Sequence, residues 1–302
     1  KRVEVVMRIL ITGGTGFIGK TLCPLLISQG HELVLWTRQL NPSLPEGVTE
    51  YVNQLSELEP NSVEAIINLA GAGIADKRWS TERKNLLISS RVKTTEQLVA
   101  WIEAQTVKPE VLVSSSAVGF YGEQGNNAVT EQTQPAAGFT HDLCAAWEAA
   151  ALTAEKLGVR VCLVRTGVVL GKGGGSIAKM LPAFRLGLGG RLASGQHWFP
   201  WIHLEDMAKI YAWLVKNKQV SGVFNASAPN PVTNAEFTKA LGKALNCPTI
   251  FPMPEAVLKV LFGEMAELLL VSAKMLPQRL IEEGFEFSYS EIDQALAAII
   301  NA

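Results

Sequence analysis

Residues 12–19 read Thr12-Gly13-Gly14-Thr15-Gly16-Phe17-Ile18-Gly19, and they follow the apolar run Met7-Arg8-Ile9-Leu10-Ile11. A glycine-rich turn therefore stands where a first β-strand hands over to a helix, and the stretch Phe17 to Gln29 after it is amphipathic. In that context Gly13 and Gly16 supply the tight turn and let backbone approach a pyrophosphate, while Gly19 lets the helix pack on the sheet. The helix N-terminus offers free N–H groups to the phosphates. The turn predicts a dinucleotide site formed by Gly13, Thr15, Gly16, Phe17 and Ile18.

The recurrence of short β-branched runs between helical stretches extends this reading along the chain. The runs are Ile9-Leu10-Ile11, Leu33-Val34-Leu35, Ala65-Ile66-Ile67, Val111-Leu112-Val113 and Val161-Cys162-Leu163-Val164. They have the character of buried parallel strands. Helices are expected at 17–29, 82–104 and 140–157, each long enough to cross back over a sheet. The pattern predicts an α/β fold, a Rossmann-type doubly wound parallel sheet. It occupies 7–170, with a smaller, mostly helical portion at 171–302, some of whose segments return to the sheet. In that second portion Gly171–Gly175 and Gly187–Gly190 read as loops, and helices dominate from about 234 onward. Lys1–Val6 precede Met7, where translation would naturally start, and stand outside the fold reading.

The chain has 302 residues, 48% of them hydrophobic, and a formal net charge of -1. It has enough apolar content for a large core and no block of Lys or Arg to attract nucleic acid or an anionic membrane. No apolar run approaches the roughly 18 residues needed to span a bilayer, and no secretory leader core is visible. The expectation is a cytoplasmic protein with a small-molecule substrate, no nucleic-acid or membrane partner, and an open oligomeric state. Cys23, Cys144, Cys162 and Cys247 lack metal or redox spacing and read as small buried apolar residues, so no metal is expected.

The second strand ends at Trp36-Thr37-Arg38, about 19 residues past the last glycine of the turn. An NAD-selective fold would place an acid there to hold the ribose diol. Arg38 instead offers a planar, permanent cation suited to a 2′-phosphate, with the Thr37 hydroxyl beside it, so the cofactor read from the sequence is NADP(H). The strand before the first long helix runs into Asn68-Leu69-Ala70-Gly71, small enough for a cofactor to lie against the backbone.

With these pieces in place the chain resembles the extended short-chain dehydrogenase/reductases, the NAD(P)-dependent epimerase/dehydratase group. The matching segments are 12–19, Asn68–Gly71, Ser114–Gly122, Arg165–Gly171 and Trp201–Asp206. Segments 75–79, 181–190 and 199–203 look more narrowly like an uncharacterised epimerase-like branch with an extra C-terminal helical module, supplied here from about residue 250. The resemblance implies cofactor contacts at Arg91, Ser114 and Thr166. It also implies a catalytic serine at Ser116 and a Tyr-x-x-x-Lys pair on the following helix, in which Tyr moves a proton and Lys lowers its pKa.

That pair is missing. Counting back from Arg165 and Glu148, which match family landmarks, places Phe139 at the Tyr position and Leu143 at the Lys position. No Tyr lies four residues before a Lys anywhere in 136–160. The replacements to consider for proton transfer are Tyr121, in the loop after the serine strand, and His141, at the start of the helix. Trp147 and Glu148 read as core and structural charge. Lys77, Arg78, Trp79, Arg185, His197, Trp198, Trp201 and His203 suggest a cleft for an anionic or ring-bearing ligand. Two functions remain open. One is an NADP(H)-dependent oxidoreductase or epimerase-like enzyme acting on a small carbonyl or hydroxyl substrate, sugar-nucleotide-like in character. The other is a catalytically weak NADP(H)-binding sensor or partner-binding protein.

Overall fold

A computed structural model of the chain describes residues 6–301. The first half runs β1 (Arg8–Thr12), α1 (Gly19–Ser28), β2 (Glu32–Trp36), β3 (Glu50–Val52), β4 (Ala65–Asn68), α2 (Thr81–Ala104) and β5 (Val111–Ala117). Then come β6 (Ala128–Val129), α3 (Phe139–Leu152), β7 (Arg160–Thr166), β8 (Val168–Leu170), α4 (Gly175–Arg185), β9 (Trp198–Phe199), β10 (Trp201–His203), α5 (Leu204–Lys216) and β11 (Gly222–Ala226). The chain closes with β12 (Val232–Thr233), α6 (Asn234–Leu245), α7 (Glu255–Phe262), α8 (Glu267–Leu270), β13 (Lys274–Met275), α9 (Gln278–Glu282) and α10 (Ile292–Asn301).

Seven strands form one parallel sheet in the order β11-β7-β5-β4-β1-β2-β3. The order reverses beside β1, and open α/β sheets of this kind bind ligands in the crevice at that reversal. Strand alternation sorts the core into two layers. Ile9, Ile11, Val111, Val113, Cys162, Val164 and Phe224 face α1 and α5. Leu10, Val34, Ile66, Leu112, Val161 and Leu163 face the side of α2. Five of the strands are the runs visible in the sequence; the edge strands β3 and β11 are not among them. β3 has only three residues, and β11 (Gly-Val-Phe-Asn-Ala) carries a buried Asn where a strand-like run would carry an apolar residue.

The expected helix at 140–157 is α3 followed by a tighter 3₁₀ turn, Thr153–Leu157, that ends on Gly158 at φ +80°. Within the second portion, α4, α6 and α10 share a separate apolar cluster around Trp201, Phe237, Leu241 and Leu296. The segment after α7 docks instead on the first portion: Met265 packs with Trp79, Leu87 and Leu143, flanked by Phe139, Phe262 and Leu268.

Candidate functional site

The turn after β1 is shaped by contacts that a side chain would destroy. Gly13 has φ +68°, and a Cβ on it would fall 2.8 Å from the Leu69 carbonyl carbon and oxygen, so this turn lies against the one after β4. A Cβ on Gly14 would strike the Leu35 side chain at 2.6 Å, and one on Gly19 would lie 2.1 Å from the Gly14 oxygen. Among the described residues, the amides of Thr15, Phe17 and Ile18 donate to no acceptor, and the first turn of α1 carries no acid. Unspent N–H groups at a helix N-terminus without a carboxylate make a cradle for an anion. The residues present therefore fit the pyrophosphate of a dinucleotide. A second glycine-rich segment closes over this turn: Cβ atoms on Gly171, Gly174 or Gly175 would all meet the Phe17 ring, at 3.1, 2.5 and 2.7 Å.

At the end of β2, Arg38 is exposed and makes no hydrogen bond or ion pair with a described residue. Thr37 is half-buried; its amide bonds the Val52 carbonyl at 3.1 Å and its Oγ1 accepts from the Gln39 amide at 3.2 Å. The guanidinium is thus free to receive a 2′-phosphate. Asn68 and Ser114 occupy a different role. Thr12 Oγ1 donates to Asn68 Oδ1 at 2.7 Å, and Asn68 Nδ2 donates to Thr95 Oγ1 at 2.8 Å and Ser114 Oγ at 3.1 Å. This buried chain ties β1, β4, β5 and α2 together, and Thr12 Oγ1 also accepts from the Ala70 amide at 3.1 Å, fixing the turn. Arg91 lies beneath that turn: its guanidinium donates to the carbonyls of Ala72 (3.0 Å) and Leu87 (3.1 Å), and a Cβ on Gly71 would lie 2.9 Å from its Cζ. Burial pushes the Arg91 pKa down. Thr166 Oγ1 bonds the Val164 carbonyl at 3.3 Å at the end of β7.

Alternation along β5 sends Ser115 and Ser116 to opposite faces. Ser115 Oγ meets Tyr211 OH of α5 at 2.5 Å. Ser116, only 3% exposed, donates to Glu148 Oε1 of α3 at 2.6 Å. Glu148 is held in a two-point pair by Arg165 of β7, Nε to Oε1 and Nη2 to Oε2 both at 2.8 Å. Arg165 Nη1 then donates to Tyr121 OH at 3.0 Å, and Tyr121 OH donates to Asn225 Oδ1 of β11 at 2.6 Å. The guanidinium also lies over the Phe120 ring, 3.3 Å from its centroid. Burial opposes the Arg165 charge, but its bonds to Glu148 and Tyr121 hold its pKa above the ordinary value. Tyr121 is fully buried, and burial pushes its pKa up to about 12 against the pull of Arg165. Every polar atom in this chain of contacts has a partner, the arrangement in which a buried polar network rigidifies a fold.

His141 points elsewhere: its Nδ1 lies 2.7 Å from the Phe120 carbonyl and its ring packs edge-on against Phe120. With Nδ1 donating, the imidazole anchors α3 to the loop after β5. Phe139 and Leu143 belong to the apolar seam with Met265, and Phe139 meets Trp79 edge-on at 5.0 Å. The α3 residues turned toward the serine strand are Thr140, Cys144 and Glu148. A Cβ on Gly119 would come 3.0 Å from Thr140 Cβ and 3.7 Å from the Cys144 sulfur. Burial and then Glu148 push that thiol up to about 11, so it stays protonated at neutral pH. Stepping in fours back from Glu148 marks this stripe in the sequence, and shows that neither Tyr nor Lys stands on it.

The second portion scatters the remaining candidates. Lys77 and Arg78 are exposed on the loop after β4, while Trp79 is buried with its Nε1 donating to the Ile74 carbonyl. Lys179 of α4 reaches across to that loop, bonding the Ala75 carbonyl at 2.9 Å and Asp76 Oδ1 at 3.0 Å. Trp201 is core, and among the described residues its Nε1 and that of Trp147 find no partner. His203 caps α5 through Nδ1 and stacks on Tyr289 at 3.7 Å. Trp198 Nε1 donates to Asn126 at 3.1 Å, and burial pushes the His197 pKa down. Arg185 closes α4 on the exposed side.

A dinucleotide cradle at the first βα turn, with a serine strand and its partner helix beside it, defines a Rossmann-fold protein of the short-chain dehydrogenase/reductase type. The chain belongs to the NAD dependent epimerase/dehydratase family, whose model matches residues 9–227, and a domain of unknown function, DUF1731, matches 253–299. It is similar to the human epimerase family protein SDR39U1, 38% identical over 97% of this chain and 100% of that one. A crystal structure of human SDR39U1 (isoform 2) with NADPH superposes at a TM-score of 0.89, with 36% identity over 98% of this chain and 99% of that chain. A homologue from Arabidopsis thaliana, named chloroplastic, is 39% identical over 98% of this chain and 88% of its own length. A UDP-glucose 4-epimerase of Thermus thermophilus, at 19% identity and a TM-score of 0.76, shares the fold. Among the described residues no helix is long and apolar enough to cross a membrane. The cytoplasmic expectation does not extend to every relative, since one is named for the chloroplast.

Proposed function

We propose that the chain binds NADP(H) tightly, turns it over weakly, and works as a sensor of the dinucleotide whose bound state is read by a partner. The cofactor is NADP(H): the first βα turn accepts the pyrophosphate and Arg38 the 2′-phosphate, and the similar human protein was crystallised with NADPH. The nicotinamide supplies a hydride when bound, and this chain's residues orient and shield it. The observation that carries the weak-turnover reading is the closure of both candidate hydroxyls: Ser116 is spent on Glu148, and Tyr121 on Asn225 while it accepts from Arg165. Neither hydroxyl is exposed to meet a substrate, and the loss of a positioned acid or base costs ~10²–10⁴ in rate. Titration with NADPH and NADH tests the binding half: NADPH binds at least roughly tenfold tighter, and Arg38→Ala removes the difference. A panel of carbonyl substrates with NADPH tests the other half. Rapid NADPH oxidation that Tyr121→Phe or Ser116→Ala abolishes would overturn the sensor reading.

A second reading has its own support. Lys77 and Arg78 stand exposed on the loop that Lys179, itself paired with Asp76, clips to α4, and the second reading takes these two cations as a rim for the ligand. Such a rim suits an anionic, sugar-nucleotide-like carbonyl or hydroxyl substrate of an oxidoreductase or epimerase-like enzyme whose proton comes from water. Turnover of such a substrate, lost in Arg78→Ala and retained in Ser116→Ala, would select this reading over the first.

A further inference from the structure

Arg38 stands two residues past the end of β2, and the parallel register of β2 on β3 pairs Trp36 with Val52. Asn53, the residue after β3, therefore comes level with the loop that carries Arg38. Its Nδ2 donates to the carbonyls of Thr37 at 2.8 Å and Gln39 at 2.9 Å, the residues on either side of Arg38. A side-chain amide has two N–H hydrogens, so one residue can bracket the Arg38 backbone from both ends. Neighbouring bonds fix the bracket itself. Trp36 Nε1 donates to the Asn53 carbonyl at 3.2 Å, and the Thr37 amide donates to the Val52 carbonyl at 3.1 Å. Beyond Arg38, Thr37 Oγ1 accepts from the Gln39 amide at 3.2 Å and Tyr51 OH donates to the Leu40 carbonyl at 2.8 Å.

All these contacts hold main chain on both sides of Arg38, and among the described residues none involves its guanidinium. The side chain is exposed while the backbone that aims it is tied to β3. Ordering a loop at the moment of binding subtracts from affinity, so a loop fixed in advance keeps more of what a charge-assisted bond to phosphate supplies. Asn53 lies 15 residues along the chain from Arg38, and its role is visible only once β3 pairs with β2.

We propose that Asn53 is a positioning residue for the 2′-phosphate, setting the preference for NADPH over NADH through Arg38. The proposal rests on the reading of Arg38 as the cation that receives that phosphate. Equilibrium titration of the full chain tests it with two pairs of probes, NADPH against NADH and adenosine 2′,5′-bisphosphate against AMP. The variants are Asn53→Ala, Arg38→Ala and the two combined. Asn53→Ala is expected to weaken NADPH and the bisphosphate roughly tenfold, while NADH and AMP stay within about twofold of the parent. A side chain that merely stabilised the fold would weaken all four probes alike. In the Arg38→Ala background the second substitution is expected to change NADPH affinity by less than about twofold, because the group it positions is gone. An unchanged ratio of NADPH to NADH affinity in Asn53→Ala, or an equal loss with and without Arg38, would overturn the proposal while leaving the role of Arg38 intact. A parent that binds NADPH and NADH equally would overturn the Arg38 reading and the proposal with it.

Discussion

Glu148 and Arg165 decide what the serine strand can do. Each is almost wholly buried, and their two-point pair satisfies both charges while Ser116 donates to the same carboxylate. A buried pair adds little net stability, but breaking one side leaves an uncompensated charge. Glu148→Ala is therefore expected to cost about 3–5 kcal/mol, and Ser116→Ala, which removes one neutral donor, about 1 kcal/mol. Urea unfolding of both variants measures the gap, and equal losses would contradict the assignment. Gly13 is the corresponding residue at the cofactor end: Gly13→Ala combines a left-handed φ with a clash on the Leu69 carbonyl, and NADPH affinity falls with the turn's geometry.

For the elements, α3 shows how one helix serves two partners. Its Thr140, Cys144 and Glu148 stripe faces β5 and β7, while Phe139 and Leu143 face the segment after α7. The positions counted as Tyr and Lys in the family pattern are thus docking residues for the C-terminal module. Met265→Ala opens this seam and is expected to destabilise by about 2–5 kcal/mol, read as an earlier unfolding midpoint. Restoring the pattern by Phe139→Tyr with Leu143→Lys is expected to lower the midpoint without creating NADPH oxidation, because the new lysine takes the buried place of Leu143 in an apolar cluster. Rapid turnover in that double variant would show that the seam opens onto the cofactor.

Across the molecule, two tyrosine hydroxyls sit in the layers on opposite sides of the sheet, Tyr121 beside α3 and Tyr211 on α5, and burial pushes both up to about 12. An unfolded tyrosine titrates near ~10, so the folded chain holds these protons more tightly. Their contribution is whole below that unfolded value and is lost as pH rises through about 12. Melting temperatures recorded from pH 9 upward are expected to fall steeply above ~10, and more gently in Tyr121→Phe. Ligand linkage acts on the same scale: NADPH at roughly a hundred times its dissociation constant adds about 2.7 kcal/mol, whereas NADH at the same concentration adds less. What the sequence by itself determined was the five central strands of the sheet, the first βα turn and the place of Arg38, because strand periodicity, glycine spacing and register are local properties of the chain. Only the tertiary structure decided that Ser116, Tyr121 and Asn68 are spent on buried partners, that β11 closes on Tyr121 through Asn225, and that the segment after α7 covers one face of α3. Ser116 meets Glu148 across 32 residues and Tyr121 meets Asn225 across 104, and contacts at such separations leave no periodic trace in a sequence.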